Sequence, residues 1–312
     1  MVTAPLAGPT LWLTERAVVR RLVTEHPIGR RVAGRFVAGD TLEEGMAAAK
    51  ALSERGIASM LNHLGENVSS AAQAAEATDG YIRALKRIQE SPEIDCNISV
   101  KLTQLGLDAS MDGCAENLER VLQAAHTPDR STQVMIDMES REYVDRTIQV
   151  YLALRDTYPS FGVCLQTYLY RTAADAHRIA GHQAIVRVVK GAYLEPADAA
   201  HQSRREVRRN FARVSATLLS AGSAIHVATH DPVLLDGARR FIRTRSISNT
   251  RYEFQFLYGI RRDLQASLVA AGEPVRVFIP YGTEWYPYLT RRLAERPGNV
   301  WFFLSNLMRR GG

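Results

Sequence analysis

The sequence has few of the features that mark secreted or membrane-spanning proteins. It contains only three cysteines in 312 residues, Cys96, Cys114 and Cys164, which are widely spaced along the chain. This odd number matches neither a disulfide framework nor a zinc site, so a reducing cytoplasm is the simplest location. No apolar run approaches the roughly 18 residues of a spanning helix, and no signal-peptide pattern opens the chain. We expect a cytoplasmic protein, at most peripheral to the inner face of the membrane.

Several sequence motifs of common enzyme classes are also missing. There is no G-x-G-x-x-G after a strand, no Walker loop, no G-x-S-x-G and no pair of Cys-x-x-Cys elements. Rossmann cofactor binding and serine hydrolysis therefore lose support. His226 and His230 are four residues apart, but they fall on a predicted strand without a nearby acidic third ligand. We therefore expect no metal site.

The formal net charge of +6 at pH 7 could favour anionic partners. The arginines are scattered through helical patterns, as in 'SRREVRRNFARV', rather than gathered into one basic tail. We therefore expect no binding to nucleic acid.

Short apolar runs rich in β-branched residues recur along the chain, and each is followed by a longer stretch with helical periodicity. This alternation is typical of βαβ units and a parallel sheet. The runs begin at Ile57, Cys96, Gln133, Gly162, Ala184, Ile225, Tyr252 and Val275. Eight such units without a linker predict an α/β fold of the (β/α)8 TIM-like barrel type over residues 41–312. Residues 1–40 are predicted to form an N-terminal helical arm.

Local signals mark where the helices begin and end. Thr41 with Glu44, and Ser70 with Gln73, have the spacing of capping boxes. Glycines stand where helices should stop, at Gly56, Gly181, Gly222 and Gly272.

Polar residues occur late in almost every predicted strand, at the end of the barrel where active sites gather. They are Glu66, Lys101, Asp137, Gln166, Arg187, Lys190, Thr229, His230, Gln255 and Tyr281. Any single one is explained by contact with solvent or with a loop. So many together are costly to bury without partners, and they favour a polar ligand that satisfies them.

The run 'WYPYLTRRLAERPG' predicts a last helix that starts near Trp285 and carries Arg291 and Arg292. The adjacent arginines fit either a solvated basic face or a carboxylate site, the latter if this helix crosses the barrel mouth. Three tyrosines nearby, Tyr281, Tyr286 and Tyr288, favour a pocket for a small molecule that is partly ring and partly carboxylate.

These motifs resemble those of the proline dehydrogenases, including the proline-oxidising domain of the bifunctional proline utilisation A proteins. The resemblance spans the chain from about Met60 to Leu304. It is carried by 'SVKLTQLG', 'IDME', 'LQTYL', 'RVVKGAY', 'ATHD', 'EFQFLYG' and 'WYPYLTRRLAE', in this order along the chain. We expect a monofunctional member of the family, without the aldehyde dehydrogenase half of the bifunctional proteins. The resemblance implies FAD as cofactor, L-proline as substrate and a quinone as electron acceptor.

The resemblance also implies roles for individual residues. Arg291, Arg292 and Lys101 would hold the proline carboxylate, while Asp137 would orient the cationic groups and Glu66 would pair with the first arginine and close the site. Tyr288 and Leu257 would line the proline ring. The remaining family positions would contact FAD, with Arg187 near flavin N5, and they are Gln166, Arg187, Val189, Lys190, Gly191, Ala192, Thr229 and His230.

One position departs from many relatives, which carry a tyrosine where this chain has Phe278. By this resemblance, the missing hydroxyl would change the polar lining of the site and the selectivity against hydroxyproline. Two other readings stay open on the residues alone. One is a related flavin barrel, such as a methylenetetrahydrofolate reductase-like protein that uses a nicotinamide, and the other is a non-catalytic or nucleic-acid-binding barrel.

Overall fold

Eight parallel strands form a closed barrel in chain order, β1 to β8. The computed structural model describes residues 33–65, 68–128, 130–158, 160–181 and 184–294, and for residues 291–294 it describes the backbone alone. The strands are β1 Ala58–His63, β2 Cys96–Val100, β3 Val134–Ile136, β4 Phe161–Gln166, β5 Ile185–Val189, β6 Ala224–Ala228, β7 Tyr252–Leu257 and β8 Val275–Tyr281. Each predicted run thus overlaps one strand, and the predicted barrel is confirmed.

The barrel closes where β1 pairs with β8 as well as with β2. Along this seam Ala58 lies opposite Arg276 and His63 lies opposite Tyr281. Strands of an all-parallel sheet are covered on both faces, so they read as nearly continuous apolar runs rather than as an alternation. This explains why the strands could be predicted from the sequence.

Helices alternate with the strands along the chain, and most of them form an outer layer around the barrel. They are α1 Leu42–Ser53, α2 Ala71–Gln89, α3 Met111–Ala125, α4 Val144–Leu154, α5 Thr172–Ile179, α6 Arg204–Ser220, α7 Pro232–Thr244, α8 Arg262–Ala270 and α9 Trp285–Ala294. Two short 3-10 helices precede α4 and β7, at Arg141–Tyr143 and Asn249–Arg251. The main apolar core lies between this layer and the strands, with members such as Tyr81, Leu118 and Phe211.

The ends of the helices follow the local signals in the sequence. The Thr41 side chain accepts from the Glu44 backbone and the Glu44 side chain accepts in return, so the predicted capping box of α1 is confirmed. At α2 the Ser70 side chain caps the backbone of Gln73. The side-chain oxygen of Gln73, however, accepts from the Ser69 backbone N–H at 2.9 Å. The second half of that predicted box was therefore wrong by one residue, because the glutamine reaches one position further back.

The last helix, α9, packs at the mouth of the barrel against the described end of the predicted N-terminal arm. A satellite apolar cluster joins Ala33 and Val37 to Leu64 at the end of β1 and to Trp285 and Leu289 of α9. The next residues of the chain lie beside β8, where the Ala38 backbone N–H donates to the Pro280 carbonyl at 2.8 Å. Residues 1–32 of the predicted arm lie outside the described residues.

Candidate active site

A cavity of about 400 Å³ opens at the carboxyl ends of the strands, inside the ring of βα loops. Its walls carry Asn62, Lys101, Asp137, Met138, Cys164, Gln166, Arg187, Val189, Lys190, Gly191, Ala192, Tyr193, Arg208, Ala228, Thr229, His230, Asp231, Pro232, Gln255, Phe256, Leu257, Phe278 and Tyr288. Twelve of these residues were predicted as site residues from the sequence. These twelve come from six strands or the loops that follow them, β2 to β7, and from α9, and the closed barrel brings them together.

An ion pair between Asp137 and Arg187 spans the floor of the cavity. Arg187 on β5 is 4% exposed, and its Nη1 atom donates to the carboxylate of Asp137, which follows β3. Ser99 on β2 adds a hydrogen bond from its hydroxyl to Asp137 Oδ1 at 2.6 Å. The guanidinium also lies over the Phe278 ring, 5.3 Å from its centroid. A buried charge pair with this many hydrogen bonds is fixed in one geometry.

Asn62 links this ion pair to Lys101. Its amide nitrogen donates to Asp137 Oδ2 at 3.1 Å, and its amide oxygen accepts from Lys101 Nζ at 3.4 Å. Lys101 is 6% exposed and lies just past β2. The cavity floor therefore holds two cations and one carboxylate, an excess of positive charge that suits an anionic ligand group.

The β4 and β5 ends form one wall through backbone and amide groups. The Gln166 side chain donates to the Glu139 carbonyl at 2.7 Å and accepts from the Ala192 backbone at 3.4 Å. Gly191 adopts a φ of +126°, and a Cβ at this position would lie 2.2 Å from the Tyr168 ring. Glycine is therefore required here, and the chain can turn closely along the cavity.

Charged residues also surround the cavity mouth at the β5 and β6 ends. Arg208 on α6 donates twice to Asp231, at 2.8 and 3.0 Å, and Lys190 Nζ lies 3.8 Å from the same carboxylate. Burial by itself would raise the pKa of Asp231, but the hydrogen bonds from Arg208 and the charge of Lys190 outweigh it and hold that pKa below its usual range. Asp231 also caps α7 by accepting from the Val233 backbone.

Three further predicted residues, His230, Leu257 and Tyr288, line another part of the cavity. The Leu257 backbone donates to His230 Nε2 at 3.0 Å, so a neutral His230 carries its proton on Nδ1. Tyr288 of α9 is 7% exposed and lines the cavity together with Phe278. Of the three tyrosines expected around the arginine pair, Tyr281 and Tyr286 do not line the cavity. Tyr281 instead stacks on His63, with 5.2 Å between the ring centroids.

The structure leaves three predicted positions without a described side chain. Glu66 lies outside the described residues, and Arg291 and Arg292 lie on the described backbone of α9 with side chains outside that description. The roles of all three stay predictions.

Sequence reasoning missed Asn62, Arg208 and Asp231. Asn62 lies two residues after Met60, and residues two apart on a strand share a face, so its inward position could have been predicted once β1 was placed. Asp231 precedes Pro232 at the start of a helical pattern, which is a capping signal. Nothing in the sequence indicates that Arg208, 23 residues earlier, pairs with it.

A closed (β/α)8 barrel with a charged cavity at the carboxyl ends of its strands has the architecture of a barrel enzyme. The family model described as proline dehydrogenase matches residues 46–303. The proline dehydrogenase of Deinococcus radiodurans is 36% identical over 304 residues, which is 96% of this chain and 96% of that protein. Proline dehydrogenase 2 of Bacillus subtilis strain 168 is 35% identical over 283 residues, covering 90% and 92%. The chain therefore belongs to the proline dehydrogenase family.

A solved structure agrees on the fold. The crystal structure of proline utilization A from Bdellovibrio bacteriovorus, inactivated by N-propargylglycine, matches with a TM-score of 0.80. The sequence identity is 19%, and the match covers 92% of this chain and 38% of that one. Among the residues that the structure describes, no helix is long and apolar enough to cross a membrane.

Proposed function

We propose that the protein oxidises L-proline to 1-pyrroline-5-carboxylate with noncovalently bound FAD, and that the electrons pass on to a quinone. The observation that carries this proposal is the cavity of the family barrel, in which Lys101, Asp137 and Arg187 are held together by hydrogen bonds on the floor. Family membership supplies the reaction class, and the donor set of the cavity supports the cofactor and the substrate.

The residues present fit a flavin dinucleotide. At the mouth, Lys190, Arg208 and His230 supply cationic and N–H donors of the kind that bind a diphosphate. Thr229 adds a hydroxyl beside them. Deeper in the cavity, Arg187 and Gln166 would face the ring system, whose nitrogen and oxygen atoms accept hydrogen bonds. Val189, Gly191 and Ala192 complete the proposed cofactor wall, since the backbone can approach closely at the glycine.

The other part of the cavity fits a small cyclic amino acid. Lys101 would bind the carboxylate together with Arg291 and Arg292, and Glu66 would pair with the first arginine. Leu257, Phe278 and Tyr288 supply apolar surface for the ring. Phe278 brings no hydroxyl, so the wall near the ring of the substrate is less polar than a tyrosine would make it.

The chemistry follows from the cofactor and from the charge of the site. When bound, FAD would supply a hydride acceptor, its N5 atom, for the hydrogen that leaves C5 of proline while the C=N bond forms. The protein holds the substrate in place and sets its protonation. The cations near the bound amine disfavour the protonated form and lower the pKa of the amine. The amine therefore loses its proton to solvent before oxidation, and no dedicated base is required.

The proposed quinone acceptor implies that the protein works close to a membrane surface. We infer peripheral contact on the cytoplasmic side, with family resemblance as the support.

The visible spectrum before and after anaerobic addition of L-proline tests the proposal. We expect a yellow protein that bleaches with L-proline and not with NADH, and that releases its colour on acid precipitation. Bleaching by NADH alone would favour the folate-reductase type of flavin barrel. A colourless protein that cannot take up FAD would refute the proposal.

The pH dependence of flavin reduction tests the role of Lys101. If Lys101 acts through its charge, Lys101→Met shifts the apparent pKa of the bound substrate upward, because one like charge is lost near the amine. The variant then performs relatively worse near neutral pH but keeps the alkaline rise. A low, flat profile without that rise would show instead that Lys101 is a catalytic base.

A further inference from the structure

Gln255 on β7 occupies a junction between the cavity and the charged interior below it. The side chain is 4% exposed and lines the cavity. Its amide oxygen accepts from Arg187 Nε at 2.8 Å. Its amide nitrogen lies 2.5 Å from Glu253 Oε1 and 2.9 Å from His226 Nδ1. One side chain thus connects a residue of the cavity floor to two titratable groups deeper in the barrel.

The two groups below Gln255 are both hydrogen-bond acceptors. Burial by itself would raise the pKa of Glu253, but Arg276, His226 and the hydrogen bonds outweigh it and hold that pKa at about 2. Arg276 donates to Glu253 at 3.0 Å and so keeps the carboxylate in place. Burial lowers the pKa of His226 to about 4, so its ring is neutral near pH 7.

These neighbouring groups fix the orientation of the Gln255 amide. A carboxylate can only accept, so the amide nitrogen must face Glu253, and the amide oxygen must face Arg187. With the amide turned over, its oxygen would meet the Glu253 carboxylate and its NH₂ would meet the Arg187 donor. Both contacts would be unfavourable in a buried site.

Arg187 in turn is held at each edge of its guanidinium. Nε donates to Gln255, Nη1 donates to Asp137 and to the Ser99 hydroxyl, and Nη2 contacts Met60 Sδ. The hydrogen bonds at Nη1 fix one end of the guanidinium. The hydrogen bond at Nε fixes a second edge, and two fixed edges define the plane of the group.

We propose that Gln255 is a positioning residue whose amide, oriented by Glu253 and His226, holds the Arg187 guanidinium in the plane required beside the flavin. This inference rests on the proposed function, because Arg187 is assigned to the flavin there. The competing role is structural, in which Gln255 only satisfies buried polar groups and supports folding.

Two variants of Gln255 and one control separate these roles. Gln255→Met keeps the volume and removes both the acceptor and the donor. Gln255→Glu keeps an oxygen that accepts from Arg187. The new carboxylate would face the carboxylate of Glu253, so one proton must be shared among the new carboxylate, Glu253 and His226. The control is Gln265→Met, because Gln265 on α8 is also buried, donates to the Ile260 carbonyl at 2.8 Å and does not line the cavity.

The measurements are the limiting rate of anaerobic flavin reduction at saturating L-proline, the apparent Kd for L-proline and the midpoint potential of the bound flavin. The potential is measured against a reference dye with dithionite, so it does not depend on proline. In Gln255→Met we expect the limiting rate to fall about ten- to a hundredfold, the loss that a misplacement of about 1 Å produces. The Kd for L-proline should change little. The potential should become more negative, because the cation lies further from the reduced flavin.

Gln255→Glu should behave differently at low and at high pH. At low pH the shared proton restores the contact with Glu253, and the rate approaches that of the wild type. As pH rises this proton is lost and the rate falls through an inflection that the wild type lacks. The charged and titratable groups that face the new carboxylate are Arg187 on β5, His226 on β6, Glu253 on β7, Arg276 on β8 and, past β3, Asp137.

Several outcomes would overturn the proposal. A wild-type rate and potential in Gln255→Met would do so, and so would losses no larger than those of Gln265→Met. If Gln255→Met does not fold or retain FAD, a pH profile of Gln255→Glu that matches the wild type overturns it. A wild type that binds FAD but is not reduced by L-proline refutes the proposed function alone. The midpoint potentials of the wild type and of Gln255→Met still test the role of Gln255, because they do not depend on proline. A wild type that binds no flavin refutes both.

Discussion

His226 is expected to make the folded protein sensitive to mild acid. It is 5% exposed on β6 and lies 3.5 Å from Glu253, with Gln255 donating to its Nδ1 atom. Burial lowers the pKa of His226 to about 4, and the charges of Arg187 and Arg276 add to this effect against the opposing charge of Glu253. In the unfolded chain the same side chain has its ordinary pKa of about 6.5. Between these two values the unfolded chain binds one more proton than the folded protein does.

The sign and size of the effect follow from this difference. Stability falls with falling pH wherever the unfolded state binds more protons, so the loss occurs as pH drops from about 6.5 to about 4. At about 1.4 kcal/mol for each pKa unit, the full loss in the free energy of unfolding is about 3 kcal/mol. Glu253 acts in a lower window, because its pKa of about 2 makes its contribution disappear between about pH 4.5 and about pH 2.

Urea unfolding at several pH values between about 7 and about 4 measures this effect. His226→Asn keeps an acceptor near the position of Nδ1 but cannot take up the proton. We expect its stability to decline less steeply than that of the wild type, by about 1 kcal/mol per pH unit at the steepest point. His177→Asn, at an exposed histidine of α5, controls for the loss of a histidine as such. Parallel curves for His226→Asn and the wild type, at equal saturating FAD, would refute the reasoning.

Two further predictions concern the substrate site and the backbone. Replacing Arg291 or Arg292 by Met should raise KM for L-proline about ten- to a hundredfold, the equivalent of one charged hydrogen bond, while the flavin spectrum stays the same. Unchanged kinetics in both variants would assign the pair to a solvated helix face. Gly259→Ala should lower stability by about 1 to 3 kcal/mol, because φ is +74° and a Cβ would lie 1.7 Å from the Arg35 carbonyl oxygen. Gly272→Ala is the matched control, with φ +73° and no atom within 4 Å, so equal melting temperatures for the two variants would contradict the predicted clash.

The fold could be predicted from the sequence because its signals are local. The strands are short, β-branched and bounded by helical patterns, as 'AIVRVVKG' shows around β5. Gly181 and Gly222 follow the last residues of α5 and α6 by two positions, where a left-handed or extended backbone ends a helix. Once eight strands alternate with helices, the handedness and order of the connections leave few arrangements other than a closed barrel.

The contacts within the site could be predicted only in part. Strand register placed Lys101 and Asp137 at the same end of the barrel, but not the amide of Asn62 between them. That contact depends on the width of the barrel and on rotamers, which no spacing in the sequence encodes. The pairing of Arg208 with Asp231 likewise depends on which turn of α6 reaches the start of α7.

The polar interior of the barrel is difficult to explain by folding alone. Replacing a buried ion network by apolar residues of similar volume is often neutral or stabilising, whereas removing one partner alone is strongly destabilising. Arg276 and Glu253 do not line the cavity, so they cannot act on a ligand directly. Gln255, however, needs an acceptor beneath its amide nitrogen, and a buried carboxylate in that place needs a cation of its own. Removing Arg276 alone would take from the buried Glu253 carboxylate the cation that donates to it at 3.0 Å, so once Gln255 requires this acceptor the cation is required as well.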